Sequence, residues 1–114
     1  MSKVYVINKS GHDFSPAEKF GELIAVTEGN LNIYNPDRDL FTISNALDNF
    51  DCKEDYLLLS GNVLGNLMAA TVLFMKKKAK EVNLLIYNAK NHDYMTHTIS
   101  LDKDKKELKF TKPK

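Results

Sequence analysis

Tyr56-Leu57-Leu58-Leu59-Ser60-Gly61-Asn62-Val63-Leu64-Gly65-Asn66-Leu67-Met68-Ala69-Ala70 is the stretch on which the reading of the fold turns. Its first four residues are apolar without interruption. That pattern suits a strand covered on both faces, as in a parallel sheet. Ser60-Gly61-Asn62 then turns the chain. From Val63 to Phe74 nearly every residue is apolar, which predicts a helix buried on more than one side. Lys76-Lys77-Lys78 falls in its last turn, where cations complement the helix dipole. A buried strand, a tight turn and a buried helix make half of a crossover unit. Val82-Asn83-Leu84-Leu85-Ile86-Tyr87 supplies the strand that completes it.

Upstream, the pattern repeats. Val4-Tyr5-Val6-Ile7 and Leu23-Ile24-Ala25-Val26-Thr27 are two further apolar runs. Ser15-Pro16-Ala17-Glu18 between them has the spacing of a capping box, and Gly21 can end the short helix it would start. After Glu28-Gly29-Asn30, alternation around Leu31 and Ile33 suggests a short extension or hairpin. Asn35-Pro36-Asp37-Arg38-Asp39 is a strong helix start. Leu40, Ile43, Leu47 and Phe50 follow at helical spacing, with Phe41 and Ala46 widening the stripe. Downstream, Asn88 to Asp93 is a turn. Met95, His97, Ile99 and Leu101 then alternate with polar residues, as in a half-exposed strand antiparallel to its predecessor at the sheet edge.

The order β, short α, β, α, β, α, β, β predicts an α/β chain. The expected architecture is a small Rossmann-like three-layer fold, with a mostly parallel sheet, right-handed crossovers and an antiparallel C-terminal edge strand. At 114 residues the chain has the size of one domain. Residues 1–101 read as that domain, and residues 102–114 read as a charged, mobile tail.

Composition excludes several classes. Apolar residues are 43% and charged residues 27%, which argues against a disordered chain or a coiled coil. No apolar run approaches the ~18 residues of a membrane span. The N-terminus lacks a signal-peptide pattern. Cys52 is the single cysteine, so no internal disulfide forms, and a reducing, cytoplasmic setting is expected. Residues 1–75 hold 5 basic and 10 acidic side chains, and residues 76–114 hold 11 and 5. The lysines beyond residue 102 come without arginine and with Phe110 as the one aromatic. They offer charge without base readout, so no specific nucleic acid is expected.

In open α/β sheets, ligands gather outside the carboxyl ends of the strands, where backbone N–H groups and helix N-termini converge. Four segments should line that edge: Asn8 to Asp13, Thr27 to Asn30, Ser60 to Asn62, and Asn88 to Lys90. Among them, Ser60, Gly61 and Asn62 can present N–H donors to an anion. Asn8, Ser10, Gly11, His12, Thr27 and Glu28 can supply further contacts. Ser60-Gly61-Asn62 is neither a Walker A loop nor a dinucleotide fingerprint, and it can equally serve only to turn the chain and cap a helix. Ser10, His12 and Asp13 are too close in sequence to be read as a nucleophilic triad. His92 and His97 do not make a metal site by spacing alone. Acidic neighbours raise the Cys52 thiol and disfavour a thiolate nucleophile. No cofactor, metal or catalytic residue is expected.

Residues Tyr56 to Tyr87 resemble the second half of the CRISPR-associated Rossmann-fold (CARF) sensor domains. There a hydrophobic strand, a small-residue loop and a helix hold a cyclic oligonucleotide. The family often carries a Gly-Gly-Thr-Lys-like loop where this chain has Ser60-Gly61-Asn62-Val63. The whole chain also resembles small phage-encoded proteins, in segments such as Ser10-Gly11-His12-Asp13 and Lys19-Phe20-Gly21-Glu22-Leu23.

Three functions follow in order of expectation. The first is a small module that binds a nucleotide or other phosphorylated ligand without catalysis, as a sensor or sequestering protein. The second is an oligomeric interaction protein with no small ligand. The third is a small hydrolase using His12 or Glu28. A homo-oligomer, a dimer in the simplest case, is expected from the excess apolarity of Val63 to Met75.

Overall fold

Four strands run side by side in one direction. The computed structural model describes residues 2–9, 11–29, 31, 34–61, 63–102 and 104–111. Strand β1 (Lys3–Lys9) leads through a 3-10 helix (Ser15–Phe20) to β2 (Glu22–Glu28). Helix α1 (Pro36–Ala46) connects β2 to β3 (Tyr56–Leu58). Helix α2 (Val63–Thr71), continued by a π-helical turn (Val72–Lys76), connects β3 to β4 (Glu81–Asn88). Strands β5 (Asp93–Asp102) and β6 (Glu107–Thr111) complete a six-stranded mixed sheet of order β2-β1-β3-β4-β5-β6. The pairs β1–β2, β1–β3 and β3–β4 are parallel, and β4–β5 and β5–β6 are antiparallel.

The strand order explains where the helices sit. The step from β1 to β2 goes one way across the sheet, and the next two steps go the other way. Crossovers of one hand then place the first connection on one face and the next two on the other. The core divides accordingly. Tyr5, Ile7, Leu57 and Leu84 pack with Ile43 and Leu47 of the α1 region and with Ala69, Val72 and Leu73. On the opposite face Val4, Val6, Leu58 and Leu85 pack with Phe14, Ala17 and Tyr94. Alternate residues of β1 are therefore buried on both sides, which is why its apolar run is unbroken.

Several expectations need correction. The segment after residue 15 is a 3-10 helix, and Ser15 does not cap it: Phe14 holds that position. Instead the Ser15 N–H donates to Asp13 Oδ1 at 2.9 Å. Only six residues separate Phe14 from Gly21, too few to repay the nucleation of an α-helix. Helix α1 buries Ile43, with Leu47 and Phe50 beyond its end, but leaves Leu40 and Phe41 exposed. Strand β5 is not the edge, because β6 pairs outside it through Ile99↔Phe110 and Leu101↔Leu108. The expected extension around Ile33 lies largely outside the described residues, although Leu31 reaches over Gly65. Among the described residues, no helix is long and apolar enough to cross a membrane.

Strand β3 is only three residues long, yet it lies mid-sheet. Its pairing with β1 covers Val4↔Tyr56, Tyr5↔Leu57 and Val6↔Leu58. Side chains extend the seam at both ends. At the start, the buried Asp55 accepts the Lys3 N–H at 2.9 Å and the Asp51 N–H at 2.8 Å. At the far end, the Ser60 hydroxyl accepts the Asn8 N–H at 3.1 Å and donates to the Asn8 carbonyl at 3.0 Å. Ser60 thus takes the place of a strand residue. Ser60→Ala is expected to cost about 1–2 kcal/mol in urea unfolding, since it removes a donor and an acceptor from a backbone pair with little else to meet. An unchanged midpoint would show that the seam closes without it.

Candidate site at the carboxyl rim between β1 and β3

Asn8 organises the carboxyl edge of the sheet. It sits at the end of β1, nearly fully buried. Its Nδ2 donates to the Gly29 carbonyl at 2.9 Å, which ties down the loop after β2. Its Cβ lies where a side chain on Gly61 would stand, only 2.6 Å from an ideal Cβ there. Gly11, Gly29 and Gly61 all have positive φ, at 55°, 76° and 72°. The turns after three parallel strands therefore leave the sheet at one edge, in conformations that glycine adopts at least cost. Among the described residues, Asn8 Oδ1 has no hydrogen-bond partner.

A cavity of about 360 Å³ opens beside this rim. His12, Asp13 and Phe14 line it from the loop after β1, and Leu59, Ser60 and Gly61 from the turn after β3. Tyr87 and Tyr94 complete it from the β4–β5 hairpin. The cavity lies where the strand order reverses, so the chain leaves β1 toward one face and β3 toward the other. Two larger hollows, of about 540 and 680 Å³, are more open. The first lies over the β5–β6 hairpin and the second beside the 3-10 helix.

The walls are aromatic. Tyr87 and Tyr94 stand opposite each other on β4 and β5. Their rings meet edge to face at 5.4 Å. The Tyr87 hydroxyl lies 3.3 Å from His92 Nδ1. His12 and Phe14 make a second edge-on pair at 6.2 Å. Burial pushes the Tyr94 phenol up, and Tyr87 and Asp13 add to the rise, so it keeps its proton and remains a donor. The hydrogen bonds from Ser15, its backbone N–H first, hold the Asp13 carboxyl below the usual range.

The residues expected at the site divide into groups. Gly61, Ser60 and His12 line the cavity, and Asn8 lies beneath Gly61, but the Ser60 N–H expected to face an anion donates to Asn66 Oδ1 at 3.2 Å. Gly11 is exposed just before His12. Thr27 is buried, and its hydroxyl donates to the Ile7 carbonyl at 2.6 Å. Glu28 pairs with Lys9 at the end of β2. Neither Thr27 nor Glu28 lines the cavity. Ser10 and Asn62 lie outside the described residues. Phe14, Tyr87 and Tyr94 were not among the expected residues. The hairpin register contained the signal for the tyrosines, because a turn pairing Asn88 with Asp93 also pairs Tyr87 with Tyr94.

Other candidates stand elsewhere. His92 contacts Tyr87 at the hairpin turn, whereas His97 pairs with Leu84 inside the β4–β5 ladder. Among the described residues, no three His, Cys, Asp or Glu side chains gather to hold a metal. Burial is the main cause of the raised Cys52 thiol, with Lys77 opposing and Asp51, Asp55 and Glu81 adding to it.

The model of one protein family, described as phage Pam3 gp32-like protein, matches residues 2–101. The chain belongs to this family. The match runs from β1 to Leu101, one residue short of the end of β5, and includes every described residue that lines the cavity. No curated protein and no solved structure matches the chain.

Proposed function

We propose that this phage Pam3 gp32-like protein binds a nucleotide or a similar phosphorylated small molecule at the rim between β1 and β3, without chemistry on it. One observation carries the reading: the aromatic cavity opens where the strand order reverses, at the carboxyl ends of parallel strands. Ligands of open α/β sheets collect at such points. On this reading the segment β2-β1-β3-β4 acts as a small Rossmann-like sheet, extended by an antiparallel hairpin. The Ser60-Gly61 turn feeds α2, whose first N–H groups favour an anion. The resemblance of residues 56–87 to CARF sensors supports including cyclic oligonucleotides among the ligands tried.

A thermal-shift panel of mononucleotides and cyclic dinucleotides at millimolar concentration tests the reading. A ligand at ~100 times its Kd adds ~2.7 kcal/mol, a rise of roughly 10 °C for a chain of this size. No rise with any compound would remove the proposal.

A second reading rests on a different surface. Val63 and Leu67 of α2 are 83% and 61% exposed, and Phe41 of the neighbouring α1 is 69% exposed. Apolar groups gathered on one helical layer favour self-association. A homodimer through this layer predicts that Leu67→Lys shifts the sedimenting species from dimer to monomer without lowering the unfolding midpoint. A wild-type chain that sediments as a monomer even at millimolar concentration would dismiss it.

A further inference from the structure

We propose that the cavity selects an amino-bearing nucleobase, which lies against the Tyr87 ring and donates its exocyclic amine to Asp13. This rests on the reading that the cavity takes a nucleotide, and it adds which end goes where and which bases are accepted.

The first observation is the charge of the lining. Among the described residues around the cavity, Asp13 is the one carboxylate, and no lysine or arginine lines it. A carboxylate repels a phosphate and accepts hydrogen bonds. It therefore sets the polarity of the bound ligand: the phosphate takes the Ser60-Gly61 side, and the donor-bearing end takes the Asp13 side. Asp13 is also held in place, because its Oδ1 accepts the Ser15 N–H at 2.9 Å. An ionised carboxylate has about four acceptor sites, so capacity remains for a ligand amine.

The second observation is the state of Tyr87. About half of it is exposed, although it borders the cavity. Its edge-on contact with Tyr94 at 63° and the nearby His92 nitrogen constrain the ring. A constrained aromatic with accessible surface is a stacking platform, and stacking is worth roughly five- to hundredfold in affinity per base.

The test uses the full chain and three probes, with binding followed by NMR. They are adenosine 5′-monophosphate, purine riboside 5′-monophosphate, which lacks only the amine, and ribose 5-phosphate, which lacks the base. The adenine compound is expected to bind about tenfold more tightly than the purine compound, because a hydrogen bond to a charged group is lost. It is also expected to bind at least tenfold more tightly than ribose 5-phosphate. Asp13→Asn keeps an oxygen for the Ser15 N–H and should bring the two base-bearing ligands to within about threefold. Tyr87→Leu should weaken both of these while leaving ribose 5-phosphate unchanged. Equal binding of adenine and purine compounds would overturn the role of Asp13. Ribose 5-phosphate binding as tightly as adenosine 5′-monophosphate would overturn base selection and leave the phosphate site standing. If none of the three binds, this inference falls, while the reading beneath it falls only if the wider panel of nucleotides and cyclic dinucleotides also gives no thermal shift.

Discussion

Gly61→Ala is expected to lower stability by about 2–4 kcal/mol, roughly 10 °C or more in the melting midpoint. Two effects combine. The residue has φ of 72°, where a side chain is strained by ~1 kcal/mol or more. In addition, the new Cβ would stand 2.6 Å from Asn8 Cβ and 3.0 Å from its Cγ. Asn8 cannot easily yield, because it lies on a central strand and holds the Gly29 carbonyl. Gly29→Ala separates the two effects. Its φ is 76°, yet no atom lies within 4 Å of the new Cβ, so about 1 kcal/mol is expected. Adding Asn8→Gly to Gly61→Ala removes the clashing atom, and the double variant should lose less than the sum of the singles. Equal losses for Gly61→Ala and Gly29→Ala in urea unfolding would show that the contact with Asn8 costs nothing.

Asp55→Ala is expected to be as damaging, at about 2–5 kcal/mol. Its carboxylate serves the Lys3 N–H and the Asp51 N–H, and the residue is almost fully buried. Removing it leaves two partly buried donors unsatisfied, each costing about 1–3 kcal/mol. The position matters beyond the count, since Asp55 directly precedes a three-residue strand whose seam with β1 has few ladder bonds. Asp55→Asn should recover part of the loss, because its amide oxygen can still accept one of the two. If Asp55→Ala unfolds at the wild-type denaturant midpoint, the seam holds without these two hydrogen bonds.

Local patterns were legible where one short-range cause decided the outcome. The largely apolar runs at residues 4–7, 23–27, 56–59 and 82–87 each became parallel strands, although β3 proper stops at Leu58. Asn35-Pro36 marked the start of α1, because a proline at the first helical position loses no intrahelical bond. The C-terminal strand was obscured by polar residues: Glu107, Lys109 and Thr111 make up most of the segment. Its alternation of Leu108 and Phe110 becomes a strand only because β5 offers an open ladder beside it.

The candidate site divides along the same line. That polar, glycine-bearing turns would share one rim followed from parallel strands, and parallel strands followed from apolar runs separated by helices. Those causes act within a few residues of chain and can be read from order alone. Which of the polar side chains would be used up in holding the rim together was decided by packing across the sheet. Thr27 and Ser60 bond to backbone of β1, and Asn8 bonds across to Gly29. The aromatic walls likewise come from a cross-strand register and a loop folded back onto the sheet. The bonds among Asn8, Thr27, Ser60 and their partners join residues 20 to 52 positions apart, so their geometry exists only once the chain has closed on itself.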